Sequence, residues 1–142
     1  MKLEILSFNG KLFKSREVVS VTALTTSGEI TVLDKHIPLI TRLKPSVLKV
    51  IFKDENNITQ TENFAIGGGV LEVANSSMKI LIDMLVLAND LDTEMAEKAR
   101  QKAVETMEMY KNSKDKVDME KFVEAEDLLL KSLAQLKLGN LR

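Results

Sequence analysis

The feature that most constrains this 142-residue chain is where its glycines and prolines fall. Gly10, Gly28, Gly67, Gly68 and Gly69 lie in the first half, with Pro38 and Pro45, and only Gly139 lies near the end. From about residue 90 to residue 138 there is neither. Glycine and proline punctuate short strands, and their absence permits long helices. Two architectures are therefore expected. Residues 1–87 read as an antiparallel β-sandwich or barrel, and residues 88–142 as an antiparallel two-helix hairpin.

The first half reads as a series of short strands. Lys2 to Phe8 alternates in part and runs into Asn9-Gly10, a hairpin signal because both residues tolerate positive φ. Leu12 and Phe13 restart a strand, and Val19, Val21 and Ala23 alternate with Ser20, Thr22 and Leu24. Ser27-Gly28 is a turn before a short apolar strand, Ile30 to Leu33. Val47 to Phe52 follows Pro45, Asp54 to Asn57 makes a polar tip, and Ile58 to Ile66 returns. Val70 to Val73 and Met78 to Leu85 are two more strands, joined by Asn75-Ser76-Ser77. Branched Val, Ile and Thr suit this because they pack against cross-strand neighbours.

The second half switches to a period near 3.6 residues. Leu91, Met95, Ala99, Ala103 or Val104, and Met107 follow one stripe, and Asp92 and Glu94 sit where a first helical turn favours negative charge. Ala96, Ala99 and Ala103 are small enough to let a partner helix approach closely. Lys111 to Lys116 is polar and breaks the pattern. Asp118 is the expected N-cap of a second helix carrying Phe122, Ala125 or Glu126, Leu129, Leu133 and Leu136, and Gly139 the expected stop. Met95, Met107, Met109 and Met119 read as ordinary core, or as adaptable packing on a hairpin that docks elsewhere.

Little equipment for chemistry is present. With 20 basic and 21 acidic residues the net charge is -1, which gives no footprint for nucleic acid. The absence of cysteine excludes disulfides, thiolate chemistry and Cys-based zinc sites, and one histidine leaves no His-rich metal site and no His pair. No apolar run approaches the ~20 residues that span a bilayer, and the start, MKLEILSFNG, has neither an h-region nor a cleavage site. Asp34 and His36 sit close together, yet no nucleophile accompanies them, so His36 reads as a lone turn histidine. Gly67-Gly68-Gly69 precedes a strand and no Lys-Ser/Thr follows, so a bulge or close backbone approach is expected there, not a phosphate loop. The residues alone indicate a binding or interaction protein, with no metal and no cofactor. A free-standing ligand-binding sandwich with a helical appendage is one form it could take.

Three stretches carry a resemblance. They are Gly28-Glu29-Ile30-Thr31-Val32-Leu33-Asp34-Lys35-His36-Ile37-Pro38-Leu39-Ile40-Thr41, then Leu43-Lys44-Pro45-Ser46-Val47-Leu48, then Gly67-Gly68-Gly69-Val70-Leu71-Glu72-Val73. In order, spacing and layout the chain resembles the epsilon subunits of rotary F-type ATP synthases (delta in mitochondria). The family pattern usually reads Gly-Glu-x-Gly-Val-Leu-Pro-Gly-His-x-Pro-Leu, and Thr31, Asp34 and Lys35 depart from it.

The resemblance implies a non-catalytic central-stalk subunit of a proton-translocating enzyme. Its sheet domain binds the gamma subunit and sits on the ring of c subunits, with the loop from Glu29 to Pro38 near that ring and Glu29, His36 and Pro38 as the interface candidates. Its hairpin rests folded or extends along the head of alpha and beta subunits, where it inhibits ATP hydrolysis. The implied location is peripheral, through the complex, at the cytoplasmic face of a bacterial inner membrane, or at an organelle inner membrane for a mature chain. In some members ATP binds a motif reading Ile/Leu-Asp-x-x-Arg-Ala. Here Leu91, Asp92 and Ala96 match it, but Met95 replaces the arginine that would supply a charged fork, so weak or absent ATP binding is expected. Inhibitory members use basic side chains on the second helix. Residues 118–138 carry five acidic and three basic side chains, a net of -2, which leaves Lys131, Lys137 and Arg142 as the regulatory candidates.

Overall fold

The computed structural model describes residues 1–141. Ten strands come first: β1 (Lys2–Ser7), β2 (Leu12–Ser15), β3 (Val18–Thr25), β4 (Gly28–Leu33), β5 (Leu39–Leu43), β6 (Ser46–Lys53), β7 (Thr59–Ile66), β8 (Gly69–Ala74), β9 (Ser77–Ile82) and β10 (Leu85–Leu87). A 3-10 turn at Ala88–Asp90 leads to helices α1 (Thr93–Tyr110) and α2 (Lys116–Leu141).

The hydrogen-bonded path runs β10-β7-β6-β3-β5-β8-β9-β1-β2, with β4 on the side of β3. Between β3 and β5 only Thr25 and Leu43 pair, and the sheet folds over at that point. The two layers enclose one core, drawn from Leu48, Val50, Phe64 and Ile66 of one and Ile5, Leu71, Met78 and Ile80 of the other. Each such side chain contributes roughly 1.5–3 kcal/mol relative to exposure. Phe13 closes one end, its ring edge-on to Phe52 and Phe64 at 5.8 and 5.0 Å. The pairing is antiparallel except where β1 lies parallel to β9. Parallel neighbours need a long connection, and here nearly the whole sheet supplies it.

Local chemistry sets the turns. Gly10 and Gly28 take φ of +85° and +120°, left-handed values that suit glycine. At the β6–β7 tip Asp54 Oδ1 accepts from the amides of Asn56 and Ile58, at 2.9 and 3.0 Å, and Oδ2 accepts from Gln60 Nε2 at 2.9 Å. The Gln60 and Ile58 bonds, with Asn56 behind them, hold this carboxyl below its ordinary value.

Several expectations are corrected. Residues 39–43 form strand β5, beyond the strands expected from the sequence. The stretch from Met78 to Leu85 is not one strand. It breaks at Asp83 and Met84, and β10 pairs with β7 in the other layer. A shift in the β3–β6 register between Val18 and Ser20 leaves Val19 exposed, so the alternation fails there but holds from Val21 onward, with Val21 and Ala23 buried. Asp92 is the N-cap of α1 and accepts from Met95 N at 3.1 Å. Asp115, not Asp118, caps α2, accepting from Val117 N at 2.8 Å, while Asp118 accepts from Ser113 Oγ. The four helical methionines are not core: Met95, Met109 and Met119 are exposed and Met107 is half-buried. The small-residue expectation holds, since Ala96 and Ala103 are the buried residues of α1, facing a helix that buries Ala125 and Ser132.

Gly139 is not a stop. It lies inside α2, where an added Cβ would stand 3.0 Å from Thr93 Cγ2 and 3.2 Å from Leu91 Cδ2, so glycine admits the start of α1. The Gly67–Gly69 triplet is a close approach, as expected. A Cβ on Gly69 would fall 1.9 Å from the Leu81 carbonyl oxygen, and on Gly68 only 3.6 Å from that of Leu43. We expect Gly69→Ala to cost about 2 kcal/mol or more and Gly68→Ala less than about 1. Urea midpoints of the two variants would measure this, and equal midpoints would refute it.

Candidate functional site

The two outer faces of the sandwich are finished differently. On β10, β7 and β6 the outward residues Val86, Ala65 and Val47 pack beneath α2, against Ala134, Leu138 and Leu91. On the other layer the outward residues line up across strands. Leu12, Leu6, Leu81 and Val70 are successive neighbours on β2, β1, β9 and β8. They are 52, 43, 50 and 41 % exposed, and Phe8, just past β1, is 85 % exposed. One pleat along, Lys14, Glu4, Lys79 and Glu72 form a parallel row of alternating charge. Ile40 stands beside Glu72 and Arg42 beside Val70 on β5. A row of large apolar side chains across four strands is a patch, not scattered surface residues, and patches of this kind mark binding faces. The sequence reading missed it. Alternation along each strand was visible, but which strands lie side by side is set by long-range pairing, above all the parallel β1–β9 register.

Glu29 and His36, taken from one matched stretch, are not together. Residues 28–33 form strand β4, with Glu29 near its start and His36 in the turn beyond its end. Glu29 is exposed beside the Ser27–Gly28 turn, across from Leu24. His36 lies in the turn before β5, where its amide donates to the Leu33 carbonyl and its Nδ1 lies 2.7 Å from the Ile37 carbonyl oxygen. Asp34 accepts from the Lys35 amide and lies 3.8 Å from the chain's terminal amine, so it does not pair with His36. Pro38 is exposed and leads directly into β5 and Ile40.

The residues matched to an ATP motif have structural work at the base of the hairpin. Leu91 is buried against Ala65, Ala134 and Leu138, Asp92 caps α1, and Ala96 is buried. Met95 is 67 % exposed. The arginine one turn further on, Arg100, is held by Glu97, with Nε 3.1 Å from both carboxylate oxygens. That pairing lowers the Glu97 carboxyl and raises the guanidinium.

Lys131 joins the hairpin to the sheet. Its Nζ lies 2.9 Å from Asp83 Oδ2, between β9 and β10, and 2.7 Å from Asp127 Oδ2, one turn back on α2. Beside it Gln135 Nε2 donates to Met84 Sδ at 3.3 Å. The other oxygen of Asp83 is buried with no hydrogen-bond partner, and sits where a Cβ on Gly67 would come within 1.6 Å. Lys137 is exposed. Arg142 lies outside the described residues. Among the described helices none is long and apolar enough to cross a membrane.

Residues 1–88 match the sequence model of the ATP synthase delta/epsilon chain β-sandwich domain. The chain belongs to the ATP synthase delta/epsilon family. Among relatives described as ATP synthase epsilon chain, one from Bordetella parapertussis is 40% identical over 108 residues, covering 76% of this chain and 71% of its own. Another, from Bordetella avium, is 36% identical over 134 residues, covering 94% and 89%. The fold is that of a chain in the Euglena gracilis mitochondrial ATP synthase (OSCP/F1/c-ring), with a TM-score of 0.72 at 22% identity, over 99% of this chain and 80% of that one. Family membership accounts for the three stretches from which the resemblance was read.

Burial pulls the Lys131 ammonium down, but the carboxylates of Asp127 and Asp83 outweigh it, so its pKa ends above the ordinary 10.5. A group raised by its folded partners adds stability fully below its unfolded pKa and loses it as pH rises through the folded one. The Lys131 contribution is therefore constant across neutral pH and disappears only above the ordinary lysine range. Following its side-chain methylene resonance by NMR should give a midpoint above 10.5, and an ordinary midpoint would show that the pair is not formed.

Proposed function

We infer that this chain is the central-stalk rotor subunit of a proton-translocating F-type ATP synthase, coupling rotation of the c-ring and gamma to ATP synthesis. The observation that carries the reading is the uncovered row of Leu12, Leu6, Leu81 and Val70, with Phe8 at its end. A chain that shields one outer sheet face with its own helix and leaves an apolar row on the other suits a lasting partner. Gamma is that partner, seated on β2, β1, β9 and β8. The adjoining charge row on Lys14, Glu4, Lys79 and Glu72 fixes register more than affinity. His36 and Pro38, which adjoin Ile40, belong with the gamma surface. Glu29, at the far end of β4, is the c-ring contact.

The sandwich of residues 1–87 is the coupling element. Torque passes only through a stiff body, and a close-packed two-layer core resists deformation. Residues 88–142 are the regulatory hairpin, acting on hydrolysis by the alpha and beta head. The subunit itself is non-catalytic, with ATP chemistry left to the beta subunits. It works peripherally at the cytoplasmic face of the bacterial inner membrane, held there by the complex. No ATP site is proposed on the hairpin, since Asp92 is committed to its cap and Met95 offers phosphate no charge.

Replacing both Leu6 and Leu81 with Asp should leave the sandwich folded, because both side chains face outward. Binding to purified gamma should fall by at least about tenfold, as expected for central apolar anchors. Retained binding by a folded double variant would remove the gamma assignment. Truncation after residue 90 should raise ATP hydrolysis by the assembled enzyme, and unchanged hydrolysis would strip the hairpin of its regulatory role.

A further inference from the structure

The docked hairpin rests on a small footprint, and one charged contact in it differs from the rest. α2 meets the sheet through Ala134 and Leu138, set against Ala65, Val47 and Val86, with Leu91 from the base of α1. Two leucines, two valines and alanines make this apolar contact, a far smaller set than the core of the sandwich. Beside them Lys131 spans two carboxylates of different kinds. Asp127 is its neighbour at i,i+4 on the same helix and stays with it wherever the helix goes. Asp83 belongs to the sheet and meets Lys131 only when the hairpin is docked.

The surroundings of Asp83 make its contact selective. One carboxylate oxygen is buried without a partner, over the bare backbone of Gly67. Its own amide donates to the Gly68 carbonyl at 3.1 Å, and the Gly67 amide to the Met84 carbonyl at 2.9 Å, so the carboxylate is carried by a corner tied on both sides. A half-desolvated charge held in place gains more from a cation than a mobile surface charge does. Lys131 is that cation, and its side chain is only 22 % exposed.

We propose that the Asp83–Lys131 pair is the latch that sets how much of the hairpin is docked on the sandwich, while Asp127–Lys131 only stiffens the helix. This rests on the reading of the hairpin as a movable regulatory element. The docked state alone loses energy when Asp83 is neutralised. Asp83→Asn thus shifts the equilibrium toward the released hairpin without touching any contact the released form keeps.

The absence of cysteine supplies a clean probe. Ala134→Cys places the chain's single thiol between α2 and the sheet, where it reacts with a maleimide only when the hairpin lifts. In that background Asp83→Asn should speed labelling by about threefold to tenfold, and Asp127→Asn by less than about twofold. Raising salt should speed labelling with Asp83 present and have little effect on Asp83→Asn. Protected amides in β1 and β9 during hydrogen exchange would show that each variant keeps its sandwich. Unchanged labelling in a folded Asp83→Asn protein overturns the latch, as does an equal response to Asp127→Asn. The same substitutions in the assembled enzyme separate the two levels of the proposal. Faster labelling with unchanged ATP hydrolysis supports the latch and defeats the regulatory role of the hairpin.

Discussion

The structure depends on one crowded corner. The chain passes between layers twice in the same place, from β7 to β8 and from β9 to β10. The two crossings are tied by the Gly67 amide on the Met84 carbonyl and the Asp83 amide on that of Gly68. There is no room for side chains between them: a Cβ on Gly69 would strike the Leu81 carbonyl oxygen, and one on Gly67 the Asp83 carboxylate. This tight crossing lets β10 return to β7 while β9 goes on to pair with β1. The β7–β10 face that receives α2 and the β9–β1 face that carries the exposed apolar row are both consequences of it. Glycine is used here for clearance, since neither Gly67 nor Gly69 takes a positive φ.

What was legible in the sequence was what is local. The concentration of turn residues in the first half marked the strands, Asn9-Gly10 marked the first hairpin, and the small residues Ala96 and Ala103 marked the helix contact. Errors arose where tertiary geometry overrides periodicity. A stripe drawn through Met95 and Met107 is a fair amphipathic pattern, yet the residues that α1 buries are Ala96 and Ala103. Gly139 looks like a helix stop because most terminal glycines are, but this one stays helical to admit Leu91 and Thr93. The break at Asp83 and Met84 cannot be seen in a run as apolar as Met78 to Leu85. It is imposed by the corner.

The candidate site divides in the same way. Glu29, His36 and Pro38 were found because they sit in a stretch that resembles a family pattern, which says nothing about shape. Strand β4 separates Glu29 from His36 and Pro38. The row of Leu12, Leu6, Leu81 and Val70 carries no motif and exists only as a register across four strands. Lys131 was singled out for its charge, without the partner that gives the charge meaning. Asp83 is 48 residues away in sequence, and its exposure to Lys131 depends on the bare backbone of Gly67.

The contrast between the two sheet faces bears on what each can do. A contiguous apolar row hidden by a partner is costly to uncover, because every leucine returned to water loses roughly 1.5–3 kcal/mol. Such a contact suits a joint that turns with its neighbour and is not meant to open. The hairpin contact is of another kind: two leucines, small residues and an ion pair whose local half survives release. It buries fewer large apolar side chains than the sandwich core does, and one bound partner commonly biases another site by about 1–3 kcal/mol. An element held so lightly can be moved by ordinary differences in partner affinity, while the sandwich beneath it, closed by its own core, does not need to change. On the proposed reading, lasting docking on one face and reversible docking on the other correspond to how each face is covered.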